Sequence, residues 1–190
     1  MYSIIFCGVG GQGILTLGGL TGKAFIMKGY EVRLSEVHGL SQRGGSVVVH
    51  LRAGKSVFSP LIPINTADAI VSLEAVETIR YIDYISPNGL ILMNKMIIPP
   101  SVLNVSLPEI NEIISSIKTL GLKIYVIDGL KIIEELKESR ILNTAMLGAM
   151  CRLKIIPHSL NELEEVIREY FPEKYIDINI RALRKGYESL

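Results

Sequence analysis

Two short stretches of this chain hold the residue types that could do chemistry. The first, Cys7-Gly8-Val9-Gly10-Gly11-Gln12-Gly13, follows an apolar run at 2–6 and leads into an apolar-periodic segment from Ile14 onward. Gly8, Gly10 and Gly13 fit the pattern G-x-G-x-x-G, in which glycines permit a tight turn, close backbone approach to a ligand and close helix–strand contact. Such a turn aims backbone N–H groups and the positive end of a helix dipole at whatever lies above the sheet. The second stretch places Glu36, His38 and Arg43 just ahead of Gly44 and Gly45. Glu36 falls where a dinucleotide site asks for an acidic residue, about 20 positions on at the next strand's end.

On the residues alone, the glycine turn supports three readings: a nucleotide cradle, a cradle for another phosphate or anion, and a purely structural tight turn. The polar run after Glu36 departs from a simple dinucleotide fold, which would continue into its second helix. Glu36 and Arg43 can face a ligand or brace the loop as an ion pair, and His38 can be a working imidazole or a satisfied, partly buried one. As a metal site the cluster fails, having no second histidine or cysteine close by. Ser41 and Ser46 lack an elbow of the G-x-S-x-G kind, so a nucleophile–base–acid triad is hard to build. His50 alternates with valines and reads as a structural edge residue, while His158 beside Pro157 reads as a solvated helix start. Cys7 and Cys151 read as buried thiols. Two cysteines cannot supply the four thiolates an iron–sulfur cluster normally takes.

The elements that must position these residues follow from periodicity. A strand at 2–6, the glycine turn and a helix from Ile14 to a stop at Gly29 lead to a short strand at 30–35, expected to lie parallel to the first in one βαβ unit. A polar loop at 37–46 precedes a β-branched strand at 47–52, and 53–58 reads as a hairpin turn with a short return strand, an antiparallel insertion. Continuous apolar strands at 68–73, 90–94 and 123–128 alternate with helical patterns at 75–85 and 109–120. The last third is helical, at 130–137, 143–153, from Ser159 through a capping box with Glu162, and at 173–188 after Pro172. Small residues Ala145, Gly148 and Ala149 are spaced for close helix contact, and Asn143 is placed to cap its helix and face the same cleft. The expected fold is α/β: a Rossmann-like, mostly parallel sheet with helices on both faces, a small antiparallel insertion and a helical C-terminal third.

Composition bounds the partners. At 190 residues the chain is expected to form one domain, 1–190. Hydrophobic residues at 48% and a mean hydropathy of +0.36 suggest much buried sheet or a large covered interface. A net charge of +1 without single-sign runs points to neither nucleic acid nor an anionic membrane. No apolar run approaches the roughly 20 residues of a membrane span, so a cytoplasmic protein is expected.

The glycine turn, Gly8-Val9-Gly10-Gly11-Gln12-Gly13-Ile14, together with Ser35-Glu36-Val37-His38-Gly39-Leu40-Ser41-Gln42-Arg43-Gly44-Gly45-Ser46, resembles the gamma-type domain of the 2-oxoacid:ferredoxin oxidoreductases. The wording S-E-V-H-G-x-x-Q-R-G-G is most similar to the beta subunits of the indolepyruvate-type enzymes. Ser59-Pro60, residues 68–74 and residues 143–149 extend the likeness over nearly the whole chain. The resemblance implies a subunit of an enzyme that oxidatively decarboxylates an aryl 2-oxoacid to an acyl-coenzyme A and passes electrons to ferredoxin. It further implies that thiamine diphosphate, held in the family through a G-D-G motif, and cysteine-ligated [4Fe-4S] clusters belong to a large alpha subunit, since this chain has no G-D-G and two cysteines. Gly8, Gly10, Gly11, Gln12, Gly13, Arg43, Gly44 and Gly45 are then the residues expected to meet coenzyme A or a substrate anion, through free amides at Gly10–Gly13. Glu36, His38 and Arg43 are expected to complete the active site, and the isolated subunit is expected to be inactive alone and able to self-associate.

Overall fold

The strand that ends in the glycine turn, β1 (Tyr2–Val9), lies in the middle of a six-stranded sheet. The structure, a computed structural model, describes residues 1–39, 44–99 and 106–190. The other strands are β2 (Glu31–His38), β3 (Ser46–Gly54), β4 (Ala67–Ser72), β5 (Ile85–Asn94) and β6 (Lys123–Ile127), in the order β2-β3-β1-β4-β5-β6. Pairing is parallel from β1 through β4 and β5 to β6, whereas β3 is antiparallel to both β1 and β2. The sheet is thus mostly parallel, as expected.

Three details of the expected pattern differ. β1, α1 (Ile14–Met27) and β2 do run strand, helix, parallel strand, but β3 fills the space between the two strands. The antiparallel element is therefore β3 itself, and residues 55–60 form no return strand. Pro60 and Pro63 have no N–H for a ladder. The segment is instead pinned one group at a time: the Val57 N–H donates to Glu31 Oε2 at 3.2 Å and the Ile62 N–H to His50 Nδ1 at 3.2 Å. The strands around the glycine turn are also longer than their apolar runs suggest, so Gly8 lies inside β1, and Glu36, Val37 and His38 lie inside β2.

Side-chain alternation splits β1 between two cores. Ile4 and Phe6 join one apolar cluster with Val49, Val71 and Leu92, while Ile5 and Cys7 join a second with Val48, Ile70 and Met93. The second face is covered by α2 (Ala75–Arg80) and α3 (Ile110–Thr119), whose Ile113 and Ile117 turn inward. The first face is covered by α1 and by the C-terminal helices α4 (Gly129–Leu136), α5 (Leu142–Arg152), α6 (Leu160–Tyr170) and α7 (Glu173–Glu188). Burying each large apolar side chain contributes roughly 1.5–3 kcal/mol. The capping box of α6 forms as the sequence indicates: the Ser159 N–H donates to Glu162 Oε2 at 2.7 Å and the Glu162 N–H to Ser159 Oγ at 3.3 Å.

α5 is buried on all sides from Leu142 to Cys151 because α7 closes over it. The small residues allow this. A Cβ on Gly148 would collide with the Leu183 carbonyl, and one on Gly186 with the Ala145 carbonyl, so the two backbones touch reciprocally. His158 corrects the expectation of a solvated helix start. It is buried, its ring stands edge-on to Phe25 with centroids 5.4 Å apart, and its Nε2 is 3.0 Å from the Ala24 carbonyl. A carbonyl can only accept, so Nε2 carries the hydrogen and ties the start of α6 to α1. Among the described residues, no helix is long and apolar enough to cross a membrane.

Candidate functional site at the glycine turn

The turn lies at the point where the sheet changes the face its helices cover, α1 following β1 on one side and α2 following β4 on the other. In open α/β sheets the crevice for ligands opens there, at the carboxyl ends of the strands. Gly11 and Gly13 have φ of 103° and 80°, a left-handed backbone that glycine adopts without strain, and Gly13 is the N-cap of α1.

Gln12 organises the turn from inside. Its Oε1 accepts the Val9 N–H at 2.8 Å and its Nε2 donates to the Leu73 carbonyl at 3.0 Å, joining the carboxyl ends of β1 and β4. A Cβ on Gly8 would lie 2.7 Å from that Oε1, so Gly8 is glycine to let Gln12 fold back. Both side-chain positions are therefore used within the chain. Among the backbone donors, the Gly10 N–H goes to the Gly45 carbonyl at 2.8 Å and the Gln12 N–H to the Val9 carbonyl at 3.1 Å. The amides of Gly11, Gly13 and the first turn of α1 have no acceptor among the described residues, and that first turn carries no acidic side chain. Four free amides in a row are thus not what the turn offers; two of the expected four are committed.

Glu36 and His38 reach the same place from β2. Two residues apart on a strand, they share a face, and their partners Val49 and Val47 on β3 show that it is the α1 face. Both are exposed, and with Gly10, Gly11, Gly13, Ile14, Leu15, Thr16 and Val47 they line an open cleft of about 430 Å³. The structure therefore brings together the glycine turn, Glu36 and His38. Gly44 and Gly45 stand behind the turn, bonded to Gly10. Arg43, with its expected pairing to Glu36, lies outside the described residues.

A second cleft of about 510 Å³ opens on the other side of the turn, shared by Gly11, Gln12, Gly13 and Thr16 with Met96, Ile98, Ile133, Ser139, Arg140, Leu142, Asn143 and Phe171. Asn143 is not a cap; it is in the first turn of α5 and buried. With its amide turned so that the nitrogen faces the turn, it donates to the carbonyls of Gln12 at 3.2 Å and Gly13 at 3.3 Å. A lone amide among small buried residues was the sequence signal for such a role.

The remaining candidates are structural. His50 is structural but not at an edge: it is buried on β3, between β2 and β1, its Nδ1 is occupied by the Ile62 N–H, and burial lowers its pKa. Burial pushes the Cys7 thiol up to about 12 and raises that of Cys151 as well. The two cysteines belong to opposite cores, so they do not fit a shared cluster. Among the described residues, no three His, Cys, Asp or Glu side chains converge as metal ligands. The Ser46 hydroxyl turns away from the cleft to Glu77. Sequence reading missed Glu74 and Glu77, both buried on α2's side of the sheet. Glu74 caps α2 through the Glu77 N–H at 2.8 Å and also accepts the Ile98 N–H at 3.1 Å; burial raises its pKa.

A mostly parallel sheet with a glycine turn at its switch point, lining one cleft with an exposed acid and an exposed imidazole, is the arrangement the chain presents. The chain belongs to the pyruvate ferredoxin/flavodoxin oxidoreductase family, whose model matches residues 3–189. It is 38% identical to the indolepyruvate oxidoreductase subunit IorB of Thermococcus kodakarensis, covering 99% of this chain and 95% of that one. It is 37% identical to the IorB subunit of Archaeoglobus fulgidus over 97% and 93% of the two chains. Among solved structures, the pyruvate oxidoreductase subunit PORC of Thermotoga maritima superposes with a TM-score of 0.73 at 26% identity, over 99% and 96% of the chains.

Proposed function

We propose that this chain is the cofactor-free subunit of a 2-oxoacid:ferredoxin oxidoreductase acting on indolepyruvate or a related aryl pyruvate. The enzyme would oxidatively decarboxylate the 2-oxoacid, form the acyl-coenzyme A and pass two electrons to ferredoxin in the cytoplasm. In this reading residues 1–190 act as one gamma-type domain that closes one side of an active site, and a larger partner subunit holds the thiamine diphosphate and [4Fe-4S] clusters. The buried, separated Cys7 and Cys151 do not fit a cluster, which supports placing the clusters on that partner.

The observation that carries the reading is the cleft at the turn. The amides of Gly11, Gly13 and the start of α1 suit a phosphate of coenzyme A or a substrate carboxylate. Exposed Glu36 and His38 form the opposite wall, where they can meet a reacting group presented by the partner. Arg43 would add a charge-assisted hydrogen bond to the same anion. Full-length likeness to indolepyruvate oxidoreductase subunits supports the choice of an aryl 2-oxoacid.

Purification of the tagged chain from its native source tests this. A large thiamine- and iron-containing partner should accompany it, and the complex should reduce ferredoxin with indolepyruvate and coenzyme A. Arg43→Ala should raise the KM for coenzyme A or the 2-oxoacid. A chain that purifies alone and binds NAD or FAD as a monomer would sink the proposal.

A further inference from the structure

The face of the sheet opposite the Glu36–His38 cleft carries a polar cluster to which the proposed function gives no part. The Ser46 hydroxyl donates to Glu77 Oε2, and the Tyr81 hydroxyl is 3.0 Å from Ser46 Oγ. Ser46 has a single proton, already given to the carboxylate, so Tyr81 donates to Ser46. Arg80 Nε is 3.1 Å from both oxygens of Glu77, which is only 5% exposed. Hydrogen bonds to an ionised partner in such surroundings are stronger and more directional than neutral ones.

Ser46 is also the first residue of β3, paired with Val9, the last residue of β1. The two residues before it continue that ladder into the glycine turn: the Gly45 carbonyl accepts the Gly10 N–H at 2.8 Å, and the Gly44 N–H lies 3.4 Å from the Gly10 carbonyl. Gly44 itself has φ 76°, so the backbone changes direction there. A buried carboxylate is a poor way to add stability, because apolar side chains would pack on this face without desolvation cost. What it does supply is a fixed direction for one hydroxyl.

We infer that Glu77 and Tyr81, acting through Ser46, form a latch that positions the glycine turn. The latch holds Gly45 against Gly10 from the far side of the sheet and so sets where the amides of Gly11 and Gly13 point. Ser46, Glu77 and Tyr81 are positioning residues: their side chains lie on the α2 face and are not among the described residues that line the Glu36–His38 cleft. The latch rests on geometry alone, and its effect on coenzyme A rests on the function proposed above.

The experiment compares Ser46→Ala and Ser46→Thr in the protein purified with its partner. Amide hydrogen exchange at Gly10 reports the latch directly, and steady-state kinetics report its consequence. Ser46→Ala should speed exchange at Gly10 by about tenfold, the loss of roughly one hydrogen bond, and raise the KM for coenzyme A by a similar factor with kcat within about twofold. Ser46→Thr keeps the hydroxyl and should restore both. Unchanged exchange at Gly10 in a folded Ser46→Ala protein overturns the latch, whatever the KM does. Faster exchange with an unchanged KM supports the latch and overturns the placing of coenzyme A at the turn instead.

Discussion

Gly13 and Gly11 separate two reasons for a glycine. At Gly13 a side-chain residue would have to adopt a φ of 80° and its Cβ would collide with the Asn143 amide, whereas at Gly11 the φ is 103° and a Cβ would meet none of the described residues within 4 Å. Gly11→Ala is expected to cost about 1–2 kcal/mol of backbone strain. Gly13→Ala should cost about 1–3 kcal/mol more, because the amide must leave its carbonyl partners; urea unfolding of the two variants measures the difference. His158 makes the fold pH-dependent. Burial lowers its folded pKa, so the unfolded chain binds the extra proton first. Its contribution is complete above the ordinary histidine value of about 6.5 and declines as pH falls below it. His50 acts with the same sign. Urea midpoints between about pH 8 and pH 5 should therefore fall, and less steeply in His158→Gln. The glycine turn, Glu36 and His38 were legible from residue type and spacing. Asn143 was legible as an amide facing the cleft, but the partners of Gln12 and Asn143 were not, since the carbonyls they serve come from distant sequence, 61 residues away for Gln12 and Leu73.

The elements show the same division. Small residues at 145, 148 and 149 marked α5 as a helix meant for close contact, and periodicity marked α7, but nothing local named one as the other's partner. The reciprocal contact of Gly148 with Leu183 and Gly186 with Ala145 supplies that link. Gly148→Ala must push α7 away from α5, and a loss of about 3 kcal/mol or more is expected, at the upper end for overpacking. Gly186→Ala should cost a similar amount. The double variant should cost less than the two together, because one separation of the helices relieves both clashes; a double-mutant cycle on thermal or urea unfolding checks this. The expected hairpin after β3 failed for the opposite reason. Its turn residues were plausible locally, but Pro60 and Pro63 and the distant anchors Glu31 and His50 decide the path.

For the molecule as a whole, alternation of strands and helices gave the α/β class, the two covered faces and the helical C-terminal third. Strand order was the part that periodicity could not reach, because pairing joins strand edges through backbone N–H and C=O groups, whereas side-chain periodicity reports only which face is buried. The placement of β3 has a consequence for how the chain acquires its fold. Every position of β1 from Tyr2 to Val9 is paired with β3, and β2 has β3 as its neighbour in the sheet. Residues 1–39 therefore contain two parallel strands with a strand-wide gap between them, and as a peptide they are expected to show no stable sheet by circular dichroism. A growing chain on the ribosome would hold β1, α1 and β2 unpaired until β3 emerges and is threaded between them. Its exposed strand edges in that interval are what a chaperone would have to cover.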